Sequence, residues 1–300
     1  MNIVIFGAGA IGSLFGAFLS KKNNVVLIGR TDHVDTIQKN GLTIQGKTHL
    51  NVEISAEDSV DKINIKPDLV ILCVKSYDTQ SAMLEVKKII DEDTYVLSLQ
   101  NGLDNIDNIS KMVKSDRIIA GVTTHGVLFF NSGVVRHTGF GETIIGSISG
   151  NRTSGISNIS DIFNDVDVDT KISINIVKEI WAKAVVNSSI NPLTTFFNCK
   201  NGYLVENKIV KYILKRVCKE STYVANKHGV GLSFDNMYSR TLDVIKNTAD
   251  NESSMLQSIK KNGRTEIDSI NGKIIEIGKN YGVETFLNEV LVYLVNNLSK

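Results

Sequence analysis

The sequence predicts a doubly wound α/β unit followed by an all-helical unit, and three observations carry that expectation. An apolar run at residues 3–6 leads straight into Gly7-x-Gly9-x-x-Gly12 and a helical pattern from Ala10. Strand-like apolar runs then alternate with helical segments through the first half of the chain, the sign of a parallel sheet. Beyond Ile176 the apolar residues keep helical spacing to the end. The boundary falls near residue 174, giving expected domains over 1–174 and 175–300.

Taken in order, residues 3–6 read as a buried parallel strand and residues 10–19 as the helix that follows. Gly7 permits the tight turn, Gly9 lets a pyrophosphate approach the backbone, and Gly12 lets helix and strand pack closely. The helix N-terminus adds free N–H groups and a positive dipole end. Gly7, Ala8, Gly9, Ala10, Ile11 and Gly12 are therefore candidate dinucleotide-binding residues. Residues 25–28 form the second strand, followed by a short helix near 33–39 and a hairpin over 42–53. Residues 68–74 are a continuous apolar strand with a helix after Tyr77, and 95–99 and 118–122 complete the parallel core. Residues 127–130, 133–137 and 143–148 read as antiparallel edge strands, and one more helix and strand close the first domain. Helical spacing marks 177–190, 209–228, 234–247, 265–281 and 287–298.

Composition narrows the function classes. The chain has 300 residues and a formal net charge of +1, with no block of like charge to suggest a nucleic-acid or acidic-membrane partner. No apolar run is long enough to span a bilayer, and no signal-peptide pattern opens the chain. Cys73, Cys199 and Cys218 are odd in number and lack metal-ligand spacing. They fit a reducing compartment, so a cytoplasmic protein without a metal site is expected, with Cys73 as strand filler. Monomer and homodimer stay open.

After the second strand, where an NAD site usually has an acid for the ribose 2′-hydroxyl, the chain reads Gly29-Arg30-Thr31. A guanidinium pairs with a phosphate and offers no acceptor to a hydroxyl, so Arg30 points to NADPH. Asp32 is the countersignal, since a small loop shift could offer it to a ribose. In the second domain Lys183, Asn187 and Asn191 are four apart and share one helix face, drifting about 40° per step. Their neighbours Ala182, Ala184, Val185, Val186 and Ile190 are apolar. A lysine there is partly desolvated and so able to donate a proton near neutrality. The same residues also admit a plainer reading. Lys183 could pair with Glu179, and Asn191 could cap a helix beginning at Pro192. Glu266 could be a first-turn acid beside the capping-box-like pair Thr265 and Asp268, and Asn251 and Ser254 a helix start.

These residues together resemble the ketopantoate reductase family over essentially the whole chain. The resemblance runs from Gly7–Gly12 through Val74-Lys75, Gln100-Asn101-Gly102 and Thr123-Thr-His-Gly126. It continues through Trp181-Ala-Lys183, Asn187 to Thr194, Asn198 to Gly202, Asn251 to Gln257 and Thr265 to Asp268. It implies a Rossmann-type domain followed by a helical domain like the C-terminal one of 6-phosphogluconate dehydrogenase. The implied reaction is NADPH-dependent reduction of 2-dehydropantoate to (R)-pantoate, a step towards pantothenate and coenzyme A. By the family pattern Lys183 is the general acid and Glu266 its acidic partner. Asn187, Asn191, Asn201, Asn251 and Ser254 resemble the substrate-binding set, with Lys75 and Asn101 lining the crevice at the strand ends. Tyr203 stands where an acid is familiar in the family, and Gln100 where histidine also occurs. Two other readings compete: a D-2-hydroxyacid dehydrogenase of the same fold, acting on branched 2-keto acids with NADH, and a non-catalytic NADPH-binding sensor. Closure of two domains about the substrate is a further expectation.

Overall fold

The computed structural model describes residues 1–298. It separates into two compact units, Met1–Gln100 with Asn105–Ile176, and Asn101–Asp104 with the chain from Val177 onward.

In the first unit, β1 (Asn2–Phe6), α1 (Ala10–Leu19), β2 (Asn24–Ile28) and α2 (Thr31–Asn40) open the chain. They are followed by β3 (Leu42–Gly46), β4 (Leu50–Val52), β5 (Ser55–Glu57), β6 (Leu69–Leu72) and α3 (Thr79–Val86). Next come β7 (Tyr95–Ser98), α4 (Asn105–Ser110), β8 (Ile118–Thr123), β9 (Gly126–Asn131) and β10 (Val134–Gly139). The unit closes with β11 (Thr143–Ser147), α5 (Ser154–Asn164) and β12 (Thr170–Ile172). The main sheet has the order β12-β11-β8-β7-β6-β1-β2-β5, parallel except where β11 meets β8. Ile3, Val4 and Ile5 are wholly buried. A parallel strand covered on both faces needs such a continuous apolar run, which is why β1 does not alternate. From β1 the chain first adds β2 on one side and later β6 on the other. The gap between β1 and β6 is thus the topological switch point at which open α/β sheets bind ligands.

Two segments expected at the sheet edge lie elsewhere. β3, β4, β9 and β10 form a separate four-stranded sheet in the order β4-β3-β10-β9, with β3 and β10 parallel. The cause is α1, whose Leu14, Phe15, Ala17, Phe18 and Leu19 are all buried. A helix apolar over so wide an arc cannot satisfy itself against one sheet, and Leu42, Ile44 and Val135 of the second sheet join its core. Only β11, of the three expected edge strands, pairs with the main sheet.

The second unit comprises α6 (Ile176–Phe196), α7 (Tyr203–Glu206), α8 (Lys208–Lys227), α9 (Phe234–Asn247), α10 (Ser254–Lys260), α11 (Lys273–Asn280) and α12 (Phe286–Leu298). Its core gathers Trp181, Val185 and Ile190 of α6 with Leu214 and Val217 of α8, Ile245 of α9 and Ile274 of α11. Two helix limits differ from the sequence expectation. α6 runs through Pro192 instead of ending near residue 190. The segment expected as one helix over 265–281 begins with a π-helical turn, Asp268–Gly272, before α11. No described helix is long and apolar enough to cross a membrane. Among the described residues no group of three or more His, Cys, Asp or Glu could hold a metal ion.

Candidate active site

The glycine turn explains two of its three glycines from within the protein. Gly7 has φ +105°, which L side chains rarely adopt, and a Cβ there would lie 2.6 Å from the Val74 nitrogen. A Cβ on Gly12 would lie 2.2 Å from the Gly7 carbonyl oxygen. Gly9 is different. Its φ is −81°, and a Cβ built there meets nothing within 4 Å. Neither backbone strain nor packing requires glycine at this position, so the open space in front of it fits a group from outside the chain. The first turn of α1 faces the same region with no acidic residue and no side-chain cap. Its leading N–H groups have no intrahelical acceptors, which suits a pyrophosphate. The residues from Gly7 to Gly12 therefore fit a dinucleotide.

The turn is fixed by its neighbours. Gly7 N and Ala8 N both donate to Ile28 O, at 2.9 and 2.8 Å, which joins it to the end of β2. Arg30, two residues on, is exposed at the N-cap of α2. Asp32 is exposed in the first turn of that helix, where the dipole favours an acid. Lys75 directly follows the residue against which Gly7 packs.

Sequence reading missed two anchors here. Gly133 N donates to His33 Nδ1 at 2.8 Å, which makes Nδ1 an acceptor and leaves the proton on Nε2. That nitrogen lies 3.0 Å from Ser13 Oγ, which donates in turn to Ala8 O at 3.3 Å. Burial pushes the His33 pKa down, keeping the ring neutral as this relay requires. Gln100 is the second anchor. Its Nε2 donates to Val74 O at 3.1 Å and to Thr79 Oγ1 at 2.8 Å, tying the loop before Lys75 to the start of α3. Its place at the head of Gln100-Asn101-Gly102 was the one available signal. Cys73 is inert, its thiol pushed up to about 12 by burial.

In the helical unit, α6 carries Lys183 and Asn187 half-buried and Asn191 buried. Glu179 pairs with Arg240 at 3.7 Å, and Asn191 lies inside a continuous helix instead of capping a new one. Loss of hydration lowers the Lys183 pKa to about 8, opposed by the charge of Glu266. Glu266 itself is buried, 7 % exposed, two residues ahead of the π-turn and so outside the first turn of α11. Asn201 and Asn251 meet directly, Asn201 N donating to Asn251 O at 3.0 Å. Asn201 Nδ2 donates to Thr248 Oγ1 at 2.8 Å, while its Oδ1 is buried with no hydrogen-bond partner among the described residues. Thr194 Oγ1 donates to Ser253 Oγ at 2.7 Å, which fastens the end of α6 to the segment bearing Asn251 and Ser254. Ser253 caps α10 and Ser254 is its first residue, both residues of the 251–254 segment remaining at the helix start. The loop with Asn101 also belongs to this unit: Leu103 N donates to Ser269 O at 3.0 Å, and Ser269 Oγ to Asp104 Oδ2 at 3.2 Å. Tyr203 is exposed at the start of α7 and accepts from Asn207 Nδ2 at 3.3 Å.

A glycine turn at the switch point of a parallel sheet, with an all-helical unit after it, defines the Rossmann-type class with a helical C-terminal unit. The family of ketopantoate reductase PanE/ApbA matches residues 3–150, and its C-terminal counterpart matches residues 175–299. The 2-dehydropantoate 2-reductase of Pyrococcus abyssi is 40% identical over 296 residues, covering 98% of this chain and 97% of its own. That of Halobacterium salinarum is 33% identical over 300 residues, covering 98% of each. A solved PanE/ApbA family ketopantoate reductase from Ralstonia eutropha superposes with a TM-score of 0.92 at 32% identity, over 100% of this chain and 98% of that one. A ternary structure of D-mandelate dehydrogenase with NADH and anilino(oxo)acetate gives a TM-score of 0.95 at 28% identity, with the same coverage. The chain belongs to the ketopantoate reductase family.

Proposed function

We infer that the protein catalyses the NADPH-dependent reduction of 2-dehydropantoate to (R)-pantoate. The observation that carries the reading is a half-buried lysine, desolvated to a pKa of about 8 beside a buried glutamate, in a chain 40% identical to 2-dehydropantoate 2-reductases. Gly7, Ala8, Gly9, Ala10, Ile11 and Gly12 would hold the pyrophosphate, Arg30 the 2′-phosphate, and Lys75 would flank the nucleotide. When bound, the nicotinamide supplies the hydride that reduces the keto carbon. The Lys183 ammonium stabilises the charge developing on the carbonyl oxygen and gives that oxygen its proton. Glu266 favours the charged form of Lys183 and orients it. Asn101, Asn187, Asn191, Asn201, Asn251 and Ser254 supply amide and hydroxyl groups suited to a carboxylate and a hydroxyl. We assign residues 1–174 to the cofactor and 175–300 to the substrate.

The lowered pKa of Lys183 has a definite sign in the kinetics. Reduction needs the ammonium, so kcat/KM holds steady below pH about 8 and falls tenfold per unit above it, as read from a pH profile. Oxidation of pantoate needs the neutral amine and rises through the same pH. A profile for reduction that rises through pH 8 excludes Lys183 as the acid.

Cofactor choice is tested at Arg30. Arg30→Ala is expected to weaken NADPH by a factor on the order of 10 to 100, the loss of a charge-assisted phosphate contact, and NADH by much less. Equal losses for both cofactors place the 2′-phosphate elsewhere.

The likeness to an NADH-bound D-mandelate dehydrogenase, together with Asp32, favours one second reading, a D-2-hydroxyacid dehydrogenase using NADH. Steady-state comparison of 2-dehydropantoate with 2-ketoisovalerate, each with NADPH and NADH, separates the two. Higher kcat/KM for 2-dehydropantoate with NADPH is expected; equal or better turnover of 2-ketoisovalerate overturns the assignment.

A further inference from the structure

Pro192 lies inside α6, where a proline has no N–H to offer the carbonyl four residues earlier. That carbonyl belongs to Ser188, which follows Asn187 and stands between Lys183 and Asn191 in the sequence. It receives a donor from another segment: Asn271 Nδ2, at 3.0 Å. Asn271 is wholly buried within the π-turn that follows Glu266. Its Nδ2 also donates to Asn288 Oδ1 at 2.9 Å.

The orientation of this amide is set at a distance. Glu220 of α8 accepts from Leu287 N, Asn288 N and Asn288 Nδ2, at 3.2, 3.0 and 2.7 Å. The carboxylate thus turns the nitrogen of Asn288 towards itself and presents Oδ1 to Asn271. Asn271 Nδ2 then faces two acceptors, Asn288 Oδ1 and Ser188 O, and its own Oδ1 is buried with no hydrogen-bond partner among the described residues. An unmet buried acceptor costs free energy, so the amide is held in this sense by its donor side alone. Ser188 also meets α8, its Oγ lying 3.0 Å from Ser221 Oγ.

We propose that Asn271 is a positioning residue for the reduction: by supplying the donor that Pro192 withholds from Ser188 O, it fastens the helix of Lys183 to the segment of Glu266. The proposal builds on the reaction assigned above. Glu266 and Asn271 are five residues apart on one segment, Lys183 and Ser188 five apart on another, and the amide bond closes the frame between them. Without it the helix of Lys183 loses this tie to the segment of Glu266. Water then gains access to Lys183, and the lysine loses its set relation to the glutamate.

The test is a double-mutant cycle with two readouts. Asn271→Ala is expected to lower kcat on 2-dehydropantoate by about tenfold or more, with the Kd for NADPH unchanged. In the unliganded protein, NMR titration of the Lys183 amine is expected to show its pKa moving from about 8 towards the ordinary lysine value. Pro192→Ala gives α6 its own N–H for Ser188 O but makes no link to the segment of Glu266, so adding it to Asn271→Ala is expected to restore stability while leaving both readouts displaced from those of the parent. A folded Asn271→Ala protein with parental kcat and parental Lys183 titration overturns the proposal, whatever its melting temperature. So does a double variant in which both readouts return to those of the parent, because the effect of Asn271→Ala would then be only that of an unmet carbonyl. Should Asn271→Ala fail to fold, the double variant is expected to fold, and its failure likewise counts against the proposal. The titration needs no substrate, so an inactive parent enzyme would fault the assigned reaction and leave this result standing.

Discussion

Lys183→Ala is expected to lower kcat for 2-dehydropantoate reduction by a factor on the order of 10² or more, the usual contribution of a positioned general acid. NADPH binding should persist, because the glycine turn and Arg30 are built by the other unit. The magnitude follows from what the ammonium does. As the keto carbon is reduced, its oxygen becomes an alkoxide, and a charge held ready in a partly dehydrated setting stabilises it more than water can. The same dehydration brings the pKa of Lys183 to about 8, so the group is charged at neutral pH yet gives up its proton readily. Lys183→Arg separates these two contributions. A guanidinium keeps the charge but does not release a proton near neutrality, so this variant should remain far below the parent. Steady-state kinetics with fluorescence titration of NADPH provide the check. Near-parental kcat in Lys183→Ala removes the lysine from the mechanism.

Gly9→Ala is expected to leave the fold and melting temperature close to the parent while weakening NADPH by about tenfold or more. The argument rests on the contrast among three glycines. A methyl group on Gly9 points into open space, whereas one on Gly12 meets a backbone oxygen at 2.2 Å. That oxygen is not the end of a flexible side chain, so Gly12→Ala should disturb α1 itself and cost both stability and cofactor binding. Thermal melts beside NADPH titrations read the difference. If Gly9→Ala binds NADPH as the parent does, the pyrophosphate does not approach this turn.

What could be read from the sequence was mainly local. The strand, glycines and helix of β1 and α1 are consecutive, and Lys183, Asn187 and Asn191 share a face by periodicity alone. The parts that escaped are those in which distant segments meet. β3 pairs with β10 across about ninety residues, so the second sheet had no local mark. His33 read as one residue of a short helix, because its partners Ser13 and Gly133 are remote. Pro192 read as a helix boundary for a sound reason, its missing N–H. The helix continues because Asn271, far along the chain, supplies the donor. The π-turn was hidden in another way: the spacing of apolar residues over 265–281 fits a regular helix and carries no mark of the wider turn at Asp268–Gly272. For the candidate active site, periodicity brought out the lysine face, whereas the roles proposed for Glu266, Asn201 and Asn251 came from resemblance to the family. Two of these, Glu266 and Asn251, also had an ordinary local explanation, as a first-turn acid and a helix start.

The most direct measurement is of products. Purified protein is incubated with NADPH and 2-dehydropantoate, and the NADPH consumed is compared with the pantoate formed, resolved by chiral chromatography. The account predicts (R)-pantoate in one-to-one ratio with NADPH oxidised, and none formed by Lys183→Ala on the same timescale. Absence of pantoate, the (S) enantiomer, or equal formation by the Lys183 variant would contradict it.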